Sequence, residues 1–139
     1  MNTLPKIIAG NSHSDQRGIL SFNNDFNALE VKRVYFIENI DNQFIRGWQG
    51  HQIEQRWFSA VHGVFKICII AIDNWEKPSR KLKINEFILN SNSLNILHIP
   101  KGYITSIQSL EVKSKLMVFS DYGLGVTNDE CRYDIDYFK

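Results

Sequence analysis

Apolar positions fall in short runs rich in β-branched and aromatic residues, broken by Asn, Asp, Gly and Pro. That pattern predicts strands rather than helices. The expected strands are residues 19–22, 31–37, 52–61, 64–71, 81–89, 94–99, 103–109 and 115–120. Turn signals separate them, at residues 39–42, 62–63, 73–79, 90–93 and 100–102. His62-Gly63 reads as a tight hairpin. Lys81-Leu82-Lys83-Ile84 alternates, which predicts one wet face. Residues 64–71 are apolar on both faces and are expected at the centre of a sheet. No long segment has a helical period, and the polar, aromatic tail 121–139 is expected to hold a turn or a short helix. Eight strands at this spacing predict a sandwich or barrel. Its edges must be closed, or covered by a second subunit.

There is no internal repeat, low-complexity tract or linker, so residues 1–139 are expected to form one domain. That length supports a core without disulfides. The net charge of +1 argues against bulk nucleic-acid binding. No apolar stretch approaches the length of a membrane span. The first residues, Met1 to Lys6, lack the apolar centre of a signal peptide, so a cytoplasmic protein is expected. Cys68 and Cys131 form no ligand-type pair, and both are expected to be reduced thiols.

Two segments break the rule of apolar inside and polar outside. On a strand through residues 31–37, Arg33 and Tyr35 share a face with Val31 and Ile37. If that face points inward, the interior contains a guanidinium and a phenol; the alternative is a surface arginine. The second segment runs from Arg46 to Phe58. It carries Arg46, Gln49, His51, Gln52, Glu54, Gln55 and Arg56 between apolar strands. Gly47 and Gly50 within it permit close backbone approach or a bend.

These segments, in order, resemble one family. Asp15-Gln16-Arg17-Gly18 is similar to a D-x-R-G opening, and residues 31–37 to a K-R-V-Y-Y-I strand. Arg46-Gly47-Trp48-Gln49-Gly50-His51 is similar to R-G-x-H-x-H with one change. Ile99-Pro100-Lys101-Gly102-Tyr103-Ile104-Thr105 is similar to I-P-P-G-x-x-H with its histidine lost. Ser120-Asp121-Tyr122 and Arg132-Tyr133-Asp134 resemble S-D-Y and R-D-Y of the tail. The chain thus resembles the cupin-fold dTDP-4-keto-6-deoxyglucose 3,4-ketoisomerases and WxcM-like sugar proteins. The dTDP-4-keto-rhamnose 3,5-epimerases are more distant. The resemblance implies an all-β, single-domain antiparallel cupin barrel, or jelly roll, that dimerises, often with exchanged strands. It implies a nucleotide-sugar substrate, no metal and no organic cofactor, in synthesis of surface-glycan sugars.

The departures from the family lie in the pocket. Where metal-binding cupins carry three histidines and a glutamate, this chain has Gln49, His51, Arg56 and Thr105. A fixed cation in that set opposes a metal. Gln49 replaces the histidine that carries protons in the family, and glutamine does not titrate. The expected catalytic residues are therefore His51 as base, with Arg56 or Gln49 holding the enolate oxygen and Tyr35 returning a proton. Arg56 beside His51 is expected to favour its neutral form. By the same resemblance, Arg17 and Arg46 are expected to hold the diphosphate. Arg33, Trp48 and Tyr103 complete the expected substrate lining. The bland alternatives are an Arg17–Asp15 turn salt bridge, a packed Tyr35, an Arg56–Glu54 pair and a merely hydrogen-bonded His51. The alternative function is an inactive cupin that binds a sugar nucleotide or carbohydrate, or supports a partner enzyme.

Overall fold

The computed structural model describes residues 3–138, which form strands and turns without a helix. No helix is long and apolar enough to cross a membrane. In chain order the strands are β1 (Lys6–Ile8), β2 (Asn11–Asp15), β3 (Gly18–Phe22), β4 (Arg33–Ile37), β5 (Ile45–His51) and β6 (Arg56–His62). They continue with β7 (Val64–Ala71), β8 (Asn85–Asn90), β9 (Ile96–Ile99), β10 (Tyr103–Ser109), β11 (Lys115–Ser120) and β12 (Glu130–Arg132).

Two five-stranded sheets, ordered β1-β9-β6-β11-β4 and β12-β5-β10-β7-β8, form an all-β jelly roll. Every pairing is antiparallel. Their inner faces meet in one core. Phe58, Leu97, Leu116 and Val118 of the first sheet meet Phe65, Ile67, Ile69, Leu89 and Ile107 of the second. Strand β7 is interior, between β10 and the edge strand β8, but the centre of the sheet, where it was expected, is held by β10. The hairpin β2–β3 forms a separate two-stranded sheet.

A second apolar cluster lies on the outer face of the β5-containing sheet. Trp48, Ile70 and Ile104 are covered there by Phe138, Tyr133 and Tyr137 of the tail. The Trp48 and Phe138 rings meet edge to face at 5.6 Å. The Tyr133 hydroxyl donates to the Trp75 carbonyl at 2.6 Å, and the Tyr137 hydroxyl to that of Pro78 at 2.7 Å. These bonds let buried phenols keep their polar ends satisfied.

The structure corrects several expectations. The expected strand 52–61 begins only at Arg56, and the polar segment 46–58 is broken by a turn. It divides into β5 and β6, which belong to opposite sheets. Between them, Asp129 accepts the N–H groups of Ile53 and Glu54, each at 2.8 Å, and Asp121 accepts that of Gln55 at 3.0 Å. Side-chain carboxylates thus replace ladder partners, and the chain can leave one sheet for the other. His62-Gly63 likewise turns between sheets instead of closing a hairpin. Gly63 takes φ 78°, and the Val64 N–H donates to the Ser114 hydroxyl. Residues 81–84 leave the sheet because Leu82 tucks into the second cluster beside Ile72 and Trp75. Strands β1, β2 and β12 were not expected. In particular, the tail pairs β12 onto β5 where a turn or helix was expected.

Gly50 sits where β5 is squeezed between β10 and β12, and a Cβ there would collide with the backbone of Tyr103 and Ile104. Gly50→Ala is therefore expected to destabilise the fold by about 1–3 kcal/mol. Urea unfolding checks this through a lower midpoint at unchanged slope.

Candidate active site

Three neighbouring strands of the second sheet and two of the first bring polar side chains to the inner face at one end of the roll. Cross-strand partners share a face, so Gln49 lies beside Thr105 on β10 and beside Arg132 on β12. Arg46 would point outward on a regular strand, being three residues from Gln49. It does not, because β5 carries a bulge. Thr105 pairs with Gln49 but Ile107 pairs with Arg46, so β5 holds one extra residue over that interval. The extra residue restores Arg46 to the inner face, a known use of bulges beside functional sites.

The result is a cleft of about 260 Å³, lined by Tyr35, Phe36 and Ile37 of β4, Arg46, Gly47 and Gln49 of β5, Arg56 of β6, Thr105 and Ile107 of β10, and Arg132 of β12. Three guanidiniums and no carboxylate line it. Arg56 is the deepest, with 4% of its surface exposed. It donates to the Thr105 hydroxyl at 3.4 Å and lies 5.2 Å from the centre of the Phe58 ring. No carboxylate lies within ion-pair distance of Arg56 among the described residues. The expected alternative, an Arg56–Glu54 pair, is therefore absent. The set Gln49, His51, Arg56 and Thr105 offers a cation hydrogen-bonded to a hydroxyl where metal cupins gather anionic and imidazole ligands, and it does not suit a metal.

His51 does not line this cleft. It faces the same way as Gln49 two residues earlier, but opens on a smaller hollow of about 160 Å³ with Arg33, Glu54 and Asp129. It is 7% exposed. Its Nδ1 lies 3.2 Å from Asp129 and 3.3 Å from Glu54. A carboxylate accepts hydrogen bonds, so these two neighbours favour the tautomer with the proton on Nδ1. This corrects the expectation that Arg56 is the charge beside His51: its neighbours are carboxylates. Glu54 also accepts from Arg33 at 3.3 Å and from the Ser120 hydroxyl. Arg33 in turn lies 4.8 Å from the centre of the Tyr35 ring.

Nδ1 of His51 and one oxygen each of Glu54 and Asp129 lie within 4.8 Å of one another, a separation compatible with ligands of one cation. Here they bind each other, and Arg33 supplies the positive charge. Burial alone would raise the Asp129 carboxyl. The N–H of Glu54, the His51 ring, the N–H of Ile53 and the Thr127 hydroxyl outweigh it and hold the group well below its ordinary 3.8.

The remaining expected site residues lie apart. Arg17 is at the tip of the β2–β3 hairpin, 83% exposed, and bonds Asp15 at 2.8 Å, as its bland alternative predicts. Trp48 faces outward, because it alternates with Gln49, and is packed under the tail. Tyr103 belongs to the main core, and its hydroxyl donates to the Thr3 carbonyl at 3.2 Å. Asp129 and Arg132 were not singled out from sequence as site residues. Arg132 carried a signal as the first residue of the R-D-Y-like Arg132-Tyr133-Asp134, but the alternation Glu130-Cys131-Arg132 was too short to identify a strand.

A family model described as "FdtA: WxcM-like, C-terminal" matches residues 2–137. The chain belongs to this WxcM-like family. No curated protein matches it. Among solved structures it is similar to a mutant of the 3,4-ketoisomerase QdtA from Thermoanaerobacterium thermosaccharolyticum in complex with TDP-4-keto-6-deoxyglucose. Identity is 20%, TM-score 0.73, and 99% of this chain and 94% of that one are covered. It is similar to the WlaRB TDP-quinovose 3,4-ketoisomerase from Campylobacter jejuni at 23% identity and TM-score 0.68, covering 96% of each chain. It is also similar to the rmlC epimerase of Mycobacterium tuberculosis at 14% identity and TM-score 0.76, covering 97% of this chain and 72% of that one. These likenesses agree with the cupin fold of a WxcM-like protein.

Asp129→Ala would leave the buried N–H of Glu54 and the half-buried N–H of Ile53 without their acceptor, and a loss of about 3 kcal/mol is expected. The folded carboxyl is more acidic than the unfolded one. Its contribution is thus complete above the unfolded value, near 3.9, and is lost as pH falls through the lower folded value. Urea unfolding at a series of pH values should show the gap between wild type and variant narrowing in the acid range.

Proposed function

We propose that this WxcM-like protein is a cofactor-free isomerase or epimerase acting on a nucleotide-linked 4-keto-6-deoxyhexose, of the TDP type, in synthesis of surface-glycan sugars. The observation that carries this reading is the cleft floored by Arg56, a buried cation without a carboxylate partner, beside Tyr35, Gln49 and two further arginines. Such a cleft suits an anionic ligand in which a carbonyl becomes an enolate. The TDP-sugar substrates named for QdtA and WlaRB support the substrate class. With that substrate class we propose a cytoplasmic protein.

The chemistry required is removal of a proton from a carbon beside the ketone and its return at the neighbouring atom or opposite face. Arg56 donates to the ketone oxygen as negative charge develops there. His51, with its Nδ1–H held by Asp129, has Nε2 as the proton acceptor. Tyr35 supplies its own phenolic proton from the β4 side, and solvent then takes the proton from His51 and re-protonates Tyr35. Gln49, which cannot titrate, donates its amide N–H to the substrate.

A second reading has specific support. The lining of the cleft contains no histidine and no carboxylate, and His51 opens on the adjacent hollow. On that reading the barrel binds a sugar nucleotide without turning it over.

We further propose a homodimer. The β2–β3 hairpin is unattached to either large sheet and exposes Ile19 and Leu20, at 75% and 63%. Strand β4 has an unpaired edge. Exchange of the hairpin onto that edge would bring the partner's copy of the D-x-R-G turn towards the cleft. Light scattering should give a dimer mass for wild type and a monomer for Ile19→Glu combined with Leu20→Glu. A monomeric wild type would refute exchange.

Incubation with TDP-4-keto-6-deoxyglucose in D2O tests catalysis. Deuterium is expected to enter at C3 or C5, and to do so at least about a hundredfold more slowly in His51→Asn, in keeping with loss of a general base. Binding without exchange would favour the second reading.

A further inference from the structure

Resting on the reading above, we infer that Glu54 is a positioning residue that acts through His51. Its carboxylate cancels the charge of Arg33 in the hollow they share, so that the imidazole can become positive when it receives the substrate's proton.

The turn between the sheets brings these groups together. His51 ends β5, and Glu54 follows three residues later, before β6 begins. Asp129, which holds the His51 ring, also accepts the Glu54 N–H at 2.8 Å. The Glu54 side chain is buried, and its two oxygens face different partners. Oε2 lies 3.3 Å from Nδ1 of His51. Oε1 accepts from Arg33 of β4 at 3.3 Å and from the Ser120 hydroxyl.

The two carboxylates beside His51 do different work. A single N–H at Nδ1 takes one direction, and Asp129 fixes it at 3.2 Å. What Glu54 adds is charge. Among the described residues, no other carboxylate comes within ion-pair distance of Arg33. The Arg33 Nε is buried and has no hydrogen-bond partner there. Without Glu54, the guanidinium would face the hollow uncompensated. A proton arriving on His51 would then make a second cation in a small, poorly solvated space. With Glu54 present, two carboxylates stand against Arg33 and the newly formed imidazolium.

The proton transfer itself shows why this matters. The C–H bond beside the ketone breaks, an N–H bond forms at Nε2, and the electron pair passes to the ketone oxygen. Positive charge appears in the hollow among carboxylates, and negative charge appears in the cleft beside Arg56. Each charge thus forms next to its opposite, already in place.

Deuterium entry from D2O into TDP-4-keto-6-deoxyglucose, with kcat and KM measured separately on the full chain, tests the assignment. Glu54→Gln keeps the size of the side chain and an acceptor for Ser120 but removes the charge. Its kcat is expected to fall about tenfold or more, with KM within about twofold, as for loss of one charge close to a group that ionises. Glu54→Asp should regain part of that loss. Adding Arg33→Gln to Glu54→Gln should raise kcat again by about threefold or more, since the charge left uncompensated is then gone; a merely structural role would make the second change a further loss. Glu86→Gln, which removes an exposed carboxylate on β8, should stay within about twofold of wild type. Should Glu54→Gln fail to fold, Arg33→Gln with and without Glu54→Gln decides the matter. Rates within about threefold of each other support the assignment, and a larger further loss overturns it. Wild-type kcat in Glu54→Gln, a loss confined to KM, or a double variant slower than Glu54→Gln overturns the role of Glu54 and leaves the isomerase reading standing. Binding without exchange in wild type would refute that reading, and the role of Glu54 with it.

Discussion

One carboxylate holds the place where the chain passes from sheet to sheet. Asp129 accepts two consecutive backbone N–H groups in the turn between β5 and β6, and it also binds His51 and Thr127. Gln49 and His51 lie just before that turn, and Arg56 just after it. Their mutual placement therefore depends on a side chain from the far end of the sequence. An amide or hydroxyl could satisfy part of this arrangement. An ionised carboxylate, with acceptor capacity on both oxygens, takes all four donors.

The jelly roll was legible because its central strands are written in a strong code. Residues 64–71 and 115–120 show their burial directly in their apolar patterns. The alternation of Arg33 and Tyr35 with Val34 and Phe36 separated the two faces of β4 and left open which of them points inward. What was illegible was governed by contacts distant in sequence. Nothing local to Gln52-Ile53-Glu54-Gln55 announces a crossing, because the acceptors for its N–H groups are at Asp121 and Asp129. Leu82 was pulled out of an alternating strand by an aromatic cluster assembled from Trp75 and the tail. The site was legible as a composition: arginines, a tyrosine and a lone histidine in one polar segment. Its partitioning was not. Whether His51 meets Arg56 or a pair of carboxylates is a tertiary fact, and Trp48 falls on the opposite face simply because it neighbours Gln49 on a strand.

The partition has chemical meaning. The cleft is a field of fixed positive charge around a phenol and an amide, without acids. The hollow beside it is a balanced ionic cluster around an imidazole. Arg33 belongs to both, paired with Glu54 on one side and stacked on Tyr35 on the other.

The bulge in β5 also has a consequence for how such a barrel can change over time. In a strand, the side on which a residue emerges is a matter of parity. A point mutation replaces one side chain, but gain or loss of a single residue between Arg46 and Gln49 exchanges inside for outside for everything upstream. The cleft's charge is in this sense stored as a count rather than as a chemical identity. Relatives with different ligands can arise by altering strand length here while every arginine stays in place.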